Sequence, residues 1–365
     1  MKVAPLWRVS RQADEATMKR STATAIAAVQ KKDELNMVII TKIIAKYTYW
    51  ALASAFFIAA GQAAAQGANF PTRSLKIVVP TSPGSGSDTT ARYFAEQLAT
   101  ALGQPVIIDN KPGANGTIAA MAVKQAPADG YTIFLASNTH MAVNPIFVKD
   151  LPYDPIKDFK PVAGIARGMM IFVASANSKM GSVADLVTAA KATKQQLTVG
   201  TYTAGFHLSA EWFASATGTK YDNVPYKGAP EVFVGLMGDQ LDWGVSDLIA
   251  AMPQVKAGKL KALAVSGEKR HPDYPDIPTV KESGYPEYVN YTWTSLYMRA
   301  ETPDAVAAKL VDAMQKILVT PGAREFIAKI GSDPMAFPPA EMRKFQISET
   351  ERFRRIADGA GIKPQ

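Results

Sequence analysis

Short runs of aliphatic and β-branched residues alternate along the chain with longer stretches whose apolar positions recur at helical spacing. Residues 75–79 (Leu-Lys-Ile-Val-Val) read as a buried strand. The turn-rich stretch Pro80-Thr-Ser-Pro-Gly84-Ser-Gly86-Ser-Asp88 follows. Ala91, Phe94, Ala95, Leu98, Ala101 and Leu102 then mark a helix, with Gly103 as its stop. The unit recurs. Strands are expected at 106–108, 131–135, 169–173, 197–199, near Val224, and at 241–245, 260–265 and 291–297. Helices are expected near 118–125, at 182–192, 208–216 and 232–237, before Gly258, and at 323–330 and 339–357. Ser182 with Asp185 spells a capping box, and Thr302 followed by Pro303 a helix start. Strands alternating with helices give an α/β protein with mostly parallel sheets.

The 365 residues suffice for two domains, each able to bury a core. The absence of cysteine removes disulfides, thiolate metal sites and cysteine nucleophiles. A net charge of +8 invites a nucleic-acid reading, but residues 1–65 hold nine Lys/Arg against four Asp/Glu. The remaining 300 residues hold 31 against 28, with no basic stripe interleaved with aromatics, so no nucleic-acid partner is expected.

Residues 1–65 read as a leader. Lys42 and Lys46 precede an apolar run at 47–60, and Gly61-Gln-Ala-Ala-Ala65 offers small residues for a cut after Ala65. The run is short for a bilayer span, which favours a cleaved signal peptide at about 37–65 over a retained anchor. Met37 opens it like a natural start, leaving residues 1–36 as a start-site extension. The expected location is the periplasm.

Three loops at strand ends are candidates for anion binding. The first holds Thr81, Ser82, Gly84, Ser85, Gly86 and Asp88, with a helix N-terminus behind it. It lacks the Gly-Lys-Ser/Thr of a nucleotide P-loop, and its plain alternative is a βα turn capped by Ser87 or Asp88. The second holds Thr201, Tyr202, Thr203 and Ala204, with His207 at the start of the next helix; the third holds Tyr226 and Lys227. Ligands of open α/β sheets collect at such strand ends. Ser137, Asn138, Thr139 and His140 after another strand, and Asp247 at the end of a further one, join the set. Asp242 and Asp247 read equally well as strand-end turn residues. His140, His207 and His271 stand in no metal-ligand spacing, so no metal or cofactor is expected. Tyr291, Trp293 and Tyr297 read as a core face.

The co-ordered motifs Phe70-Pro71-x-Arg73, Pro80-x-x-Pro83-Gly84-x-x-x-Asp88, Asn110-Lys-Pro-Gly-Ala-Asn-Gly116, Pro127-Ala-Asp-Gly-Tyr-Thr132, Asn144-Pro145, Tyr226-Lys-Gly228 and Lys256-Ala-Gly-Lys-Leu-Lys-Ala-Leu-Ala-Val265 resemble the Bug family of solute-binding subunits of tripartite tricarboxylate transporters. The resemblance implies a two-lobed, type II-like periplasmic binding protein fold with a cleft between the lobes. The lobes would be 70–170 with 291–365, and 171–290. It further implies a small carboxylate held by backbone amides and waters of the first two loops, with membrane transporter subunits as partners. The first two loops are hydroxyl-rich and hold no Arg or Lys, although Lys227 is near, which favours an organic acid over phosphate, with di-, tri- and terephthalate-type aromatic dicarboxylates as ligand classes. We expect a monomer and no enzyme. The alternatives are a periplasmic sensor for a two-component system, or an exported hydrolase. The hydrolase would need a nucleophile–base pair that the sequence does not spell.

Overall fold

The computed structural model describes residues 69–364 except Lys194, with isolated positions between 18 and 48. The expected leader and its cut after Ala65 lie outside the described residues apart from those positions. Residues 66–365 form one compact unit. Among the described residues no helix is long and apolar enough to cross a membrane.

Ten strands and ten α-helices are described, in the order β1 (Leu75–Val79), α1 (Gly86–Leu102), β2 (Val106–Asn110), α2 (Thr117–Lys124), β3 (Thr132–Ser137), α3 (Asn144–Phe147), β4 (Phe159–Ser175), α4 (Val183–Ala192), β5 (Leu197–Thr201), α5 (Ala204–Thr217), β6 (Tyr221–Pro225), α6 (Ala229–Met237), β7 (Trp243–Asp247), α7 (Leu248–Lys256), β8 (Leu260–Val265), β9 (Tyr291–Arg299), α8 (Asp304–Leu318), α9 (Pro321–Lys329), β10 (Ser332–Phe337) and α10 (Pro339–Gly359). A π-type turn, Thr139–Val143, follows β3.

One sheet runs β2-β1-β3-β9-β4-β10, and a second runs β8-β4-β7-β5-β6. Strand β4 belongs to both: its residues through Met169 pair with β9, and Met170–Val173 pair with β7. The second sheet and its helices enclose a core that includes Phe172, Phe213, Trp243 and Tyr288. The first sheet has clusters on its two faces, around Phe94 and Leu310 and around Phe134 and Trp293. Each fully buried large apolar side chain contributes about 1.5–3 kcal/mol, so each sheet has its own source of stability.

The fold corrects the sequence reading in three places. The ladders among β1, β2 and β3 and among β5, β6 and β7 are parallel. Every ladder of β4 or β9 is antiparallel, so the sheets are mixed. The cause is the single strand running through both sheets, whose neighbours return in the opposite direction. Helix α1 is capped by Ser85, with Ser87 and Asp88 already inside its first turn, and α8 by Pro303 rather than Thr302. Strand β10, with Pro334 in it and little alternation, was not expected. Ser182 caps α4 as expected, accepting from Asp185 N–H at 3.1 Å.

Candidate site at four strand ends

The C-terminal ends of β1, β3, β5 and β7 converge on a partly open cavity of about 40 Å³, large enough to admit water molecules. Residues from both sheets line it, with Gly168–Met170 of β4 running along it between them.

From β1, the loop Pro80–Ser85 leads into α1. Asp88 ties it together, accepting from Gly84 N–H at 2.9 Å, from Arg92 Nε and Nη2 at 2.9 and 3.0 Å, and from Asn110 Nδ2 at 2.9 Å. Burial opposes charge on this carboxyl, but the Arg92, Gly84 and Asn110 hydrogen bonds outweigh it and hold it below the usual range. From β5, Thr203 caps α5 and accepts from Thr139 Oγ1 at 3.0 Å, across the cleft. From β3, Asn138 is 1% exposed; its Oδ1 accepts from Thr292 Oγ1 at 2.9 Å, while its Nδ2 has no partner. Thr81 Oγ1 is likewise buried and unpartnered. Both residues line the cavity, and buried polar groups of this kind cost free energy until bonded. From β7 comes Asp247, deep in the molecule with part of its surface open to the cavity. Its Oδ2 accepts from Tyr202 OH at 2.7 Å, and burial pushes its carboxyl up against that bond and one from Gly86 N–H.

His140 and Ser137 also line the cavity, with Ser137 Oγ 3.1 Å from His140 Nδ1. This is a serine–histidine contact the sequence did not spell. It does not make an activated nucleophile. Nδ1 already accepts from Ser137 N–H at 3.0 Å, Nε2 has no orienting carboxylate, and burial pushes the ring down to about 3. A general base needs a pKa near the working pH and a third group to hold it.

Of the residues singled out from sequence, the cavity gathers Thr81, Gly86, Ser137, Asn138, Thr139, His140, Tyr202, Thr203 and Asp247. It does not gather Ser82, Gly84, Ser85, Asp88, Thr201, Ala204, His207, Tyr226 or Lys227. Ser82 and Ser85 turn to the start of α6 instead: Ser82 Oγ donates to Glu231 Oε1 at 2.7 Å, and Ser85 Oγ accepts from Ala229 N–H at 3.1 Å. Gly84 and Asp88 serve the loop, and Thr201 Oγ1 donates to Asn223 at 2.6 Å. Ala204 packs in the core beneath β3, and Tyr226 packs on the second sheet's core. His207 faces Phe147, ring centres 4.9 Å apart, with Nε2 3.4 Å from Glu211 Oε1; Lys227 is exposed. Asp242 accepts from Thr198 N–H and Oγ1, a strand-end role.

Ser87, Gly205 and Phe206 lie within the stretches 82–88 and 200–207 from which backbone amides were expected to hold a ligand, whereas Thr90 of α1, Leu248 and Ile249 of α7, and Ile330 and Ser332 were not singled out from sequence. Sequence reasoning also missed Thr292 and Thr294 of β9, for which a signal existed. Thr292 and Thr294 alternate with the fully buried Trp293, which puts two hydroxyls side by side on the other face of the strand.

Residues 90–362 match the model of the tripartite tricarboxylate transporter family receptor. The protein BugT of Bordetella pertussis is 30% identical over 84% of this chain and 96% of its own length. Among solved structures, R. palustris Rpa4515 with adipate superposes with a TM-score of 0.78 at 32% identity, covering 81% of this chain and all of that one. MatC from Rhodopseudomonas palustris with bound malate superposes with a TM-score of 0.75 at 27% identity, over 79% of this chain and 99% of that one.

Proposed function

Since the chain belongs to the tripartite tricarboxylate transporter receptor family, a family of carboxylate-binding solute receptors, we propose that the cavity at the four strand ends is where it captures its acid. The observation that carries this reading is the pair of buried, unpartnered groups, Asn138 Nδ2 and Thr81 Oγ1, on the wall between the N-termini of α1 and α5. Helix N-termini of this length favour an anion, and the amide hydrogens supply directional bonds. No lysine or arginine lines the cavity, which suits a weakly charged carboxylate better than phosphate.

We take the lobes as 70–170 with 291–365, and 171–290, closing about the crossings near Met170 and Tyr291. Bonds from Ser82 and Ser85 to α6 and from Thr139 to Thr203 are then closure contacts. We also read the protein as exported to the periplasm, serving transporter membrane subunits, binding without catalysis, and acting as a monomer, since one chain supplies the whole cavity. The test is a thermal-shift screen of mono-, di- and tricarboxylates, because a ligand of the folded state raises its melting temperature. At least one small aliphatic carboxylate should raise it by several degrees; a panel without effect contradicts the reading.

A further inference from the structure

Asp247 ends β7 and reaches the first turn of α1. Its Oδ2 accepts from Tyr202 OH at 2.7 Å, and the same phenol oxygen accepts from Asp247 N–H at 3.1 Å. With one lone pair given to that amide, the phenol's single hydrogen is left for the carboxylate. Gly86 N–H donates to the carboxyl as well. A Cβ on residue 86 would lie 2.7 Å from Asp247 Oδ2, so only glycine lets the carboxyl approach this closely. The chain's own carboxylate thus stands at the amide end of α1, on the wall of the same cavity as the unpartnered Asn138 Nδ2.

Among the described residues no lysine or arginine pairs with it. Around the cavity, α1 offers the Gly86 amide with Ser87 and Thr90, and the loop before α5 offers the Tyr202 phenol. Strand β4 offers Met169 and Met170, and α7 offers Leu248 and Ile249. The π-type turn brings His140, which burial keeps neutral. Asp88, the acid in the first turn of α1, is engaged by Arg92, Asn110 and Gly84. Two helix N-termini supply about half a positive charge each. That suffices for one anion; a second carboxylate beside the first cannot stay ionised without a counter-charge.

We propose that Asp247 makes capture proton-coupled: an entering carboxylate is held with one proton, drawn from solvent, shared between a ligand oxygen and the Asp247 carboxyl. This rests on the carboxylate reading of the cavity. Before binding, the Tyr202 and Gly86 hydrogen bonds support the ionised form against burial; the second anion tips the balance. Uptake of a proton on binding makes affinity fall as pH rises, by about tenfold per pH unit for one proton.

The test is titration calorimetry of the purified chain with adipate and with malate, from about pH 6 to about pH 8.5, in paired buffers of different ionisation enthalpy. The buffer dependence should report about one proton taken up per ligand bound, with Kd rising in step with pH. Asp247→Asn keeps an oxygen for Tyr202 and Gly86, and should bind with a flat profile and no uptake. Tyr202→Phe removes the donor that favours the ionised form and should reduce uptake at a given pH. The wild-type buffer pair decides the point even where a variant folds poorly. Binding without uptake, or an unchanged slope in Asp247→Asn, overturns the proton coupling and leaves the carboxylate reading intact. If no carboxylate binds the wild type or Asp247→Asn, the carboxylate reading falls and the coupling with it.

Discussion

Ser266 and Met170 bond to each other twice: Ser266 N–H donates to Met170 O, and Met170 N–H donates to Ser266 Oγ, both at 2.9 Å. Ser266 Oγ also donates to Asn290 O at 2.6 Å. One buried hydroxyl therefore joins the two places where the chain passes between the sheets. Ser266→Ala leaves Met170 N–H and Asn290 O without their bonds, at a cost of about 1–3 kcal/mol. The melting temperature should drop by several degrees. A scan showing no change would mean that the crossings do not depend on this hydroxyl.

Gly228 tests closure without touching the cavity. Its φ of −172° is ordinary extended backbone, but an added Cβ would meet Ser82 Cβ and Ser85 Oγ, both at 2.7 Å. Those neighbours belong to the other sheet's loop, so the clash exists only with the lobes together. Gly228→Ala should weaken every carboxylate ligand by about tenfold or more, an overpacking cost loaded on the closed state. Its melting temperature without ligand should stay within a few degrees of wild type. Unchanged affinity by calorimetry would contradict the closure contacts.

How much of this was legible in the sequence varies by element. Strands such as 75–79 and the glycine loop before α1 were readable because apolar runs and turn residues act locally. Nine of the residues marked from sequence do line the cavity, because strand ends bring them there whatever the fold's details. That Ser82 and Ser85 turn to Glu231 and Ala229 was not legible, because those partners lie 149 and 144 residues away and carry no local mark. His207 looked like a pocket wall from its place near a helix start. Helical periodicity alone does not say which face turns to Phe147 and which to the cleft.

His140 gives a pH dependence of known sign. Burial lowers the ring from 6.5 to about 3, so the folded state keeps it neutral. The stabilisation is full above the unfolded value and is lost as pH falls from 6.5 toward 3, by at most about 1.4 kcal/mol per pH unit. Wild type should therefore lose about 1.6 kcal/mol more than His140→Gln between about pH 6.5 and pH 5, read from denaturant unfolding. Parallel curves for the two proteins would show that His140 takes up its proton in the native state as readily as in the unfolded one.

Asp88 should prove structural. Asp88→Asn replaces an acceptor of Arg92 and Asn110 with a group that can donate, costing about 1–3 kcal/mol and several degrees of melting temperature. Affinities for different carboxylates should keep their order. A reordered ligand panel would put Asp88 in the cavity wall after all.

A crystal structure of the purified chain, soaked or grown with the acid giving the largest thermal shift, will show whether a carboxylate sits between the two helix N-termini. A ligand oxygen should lie within hydrogen-bond distance of Asn138 Nδ2, between the starts of α1 and α5 and close to Asp247. Ligand bound elsewhere on the protein, with Asn138 Nδ2 and Thr81 Oγ1 still unpartnered, would contradict it.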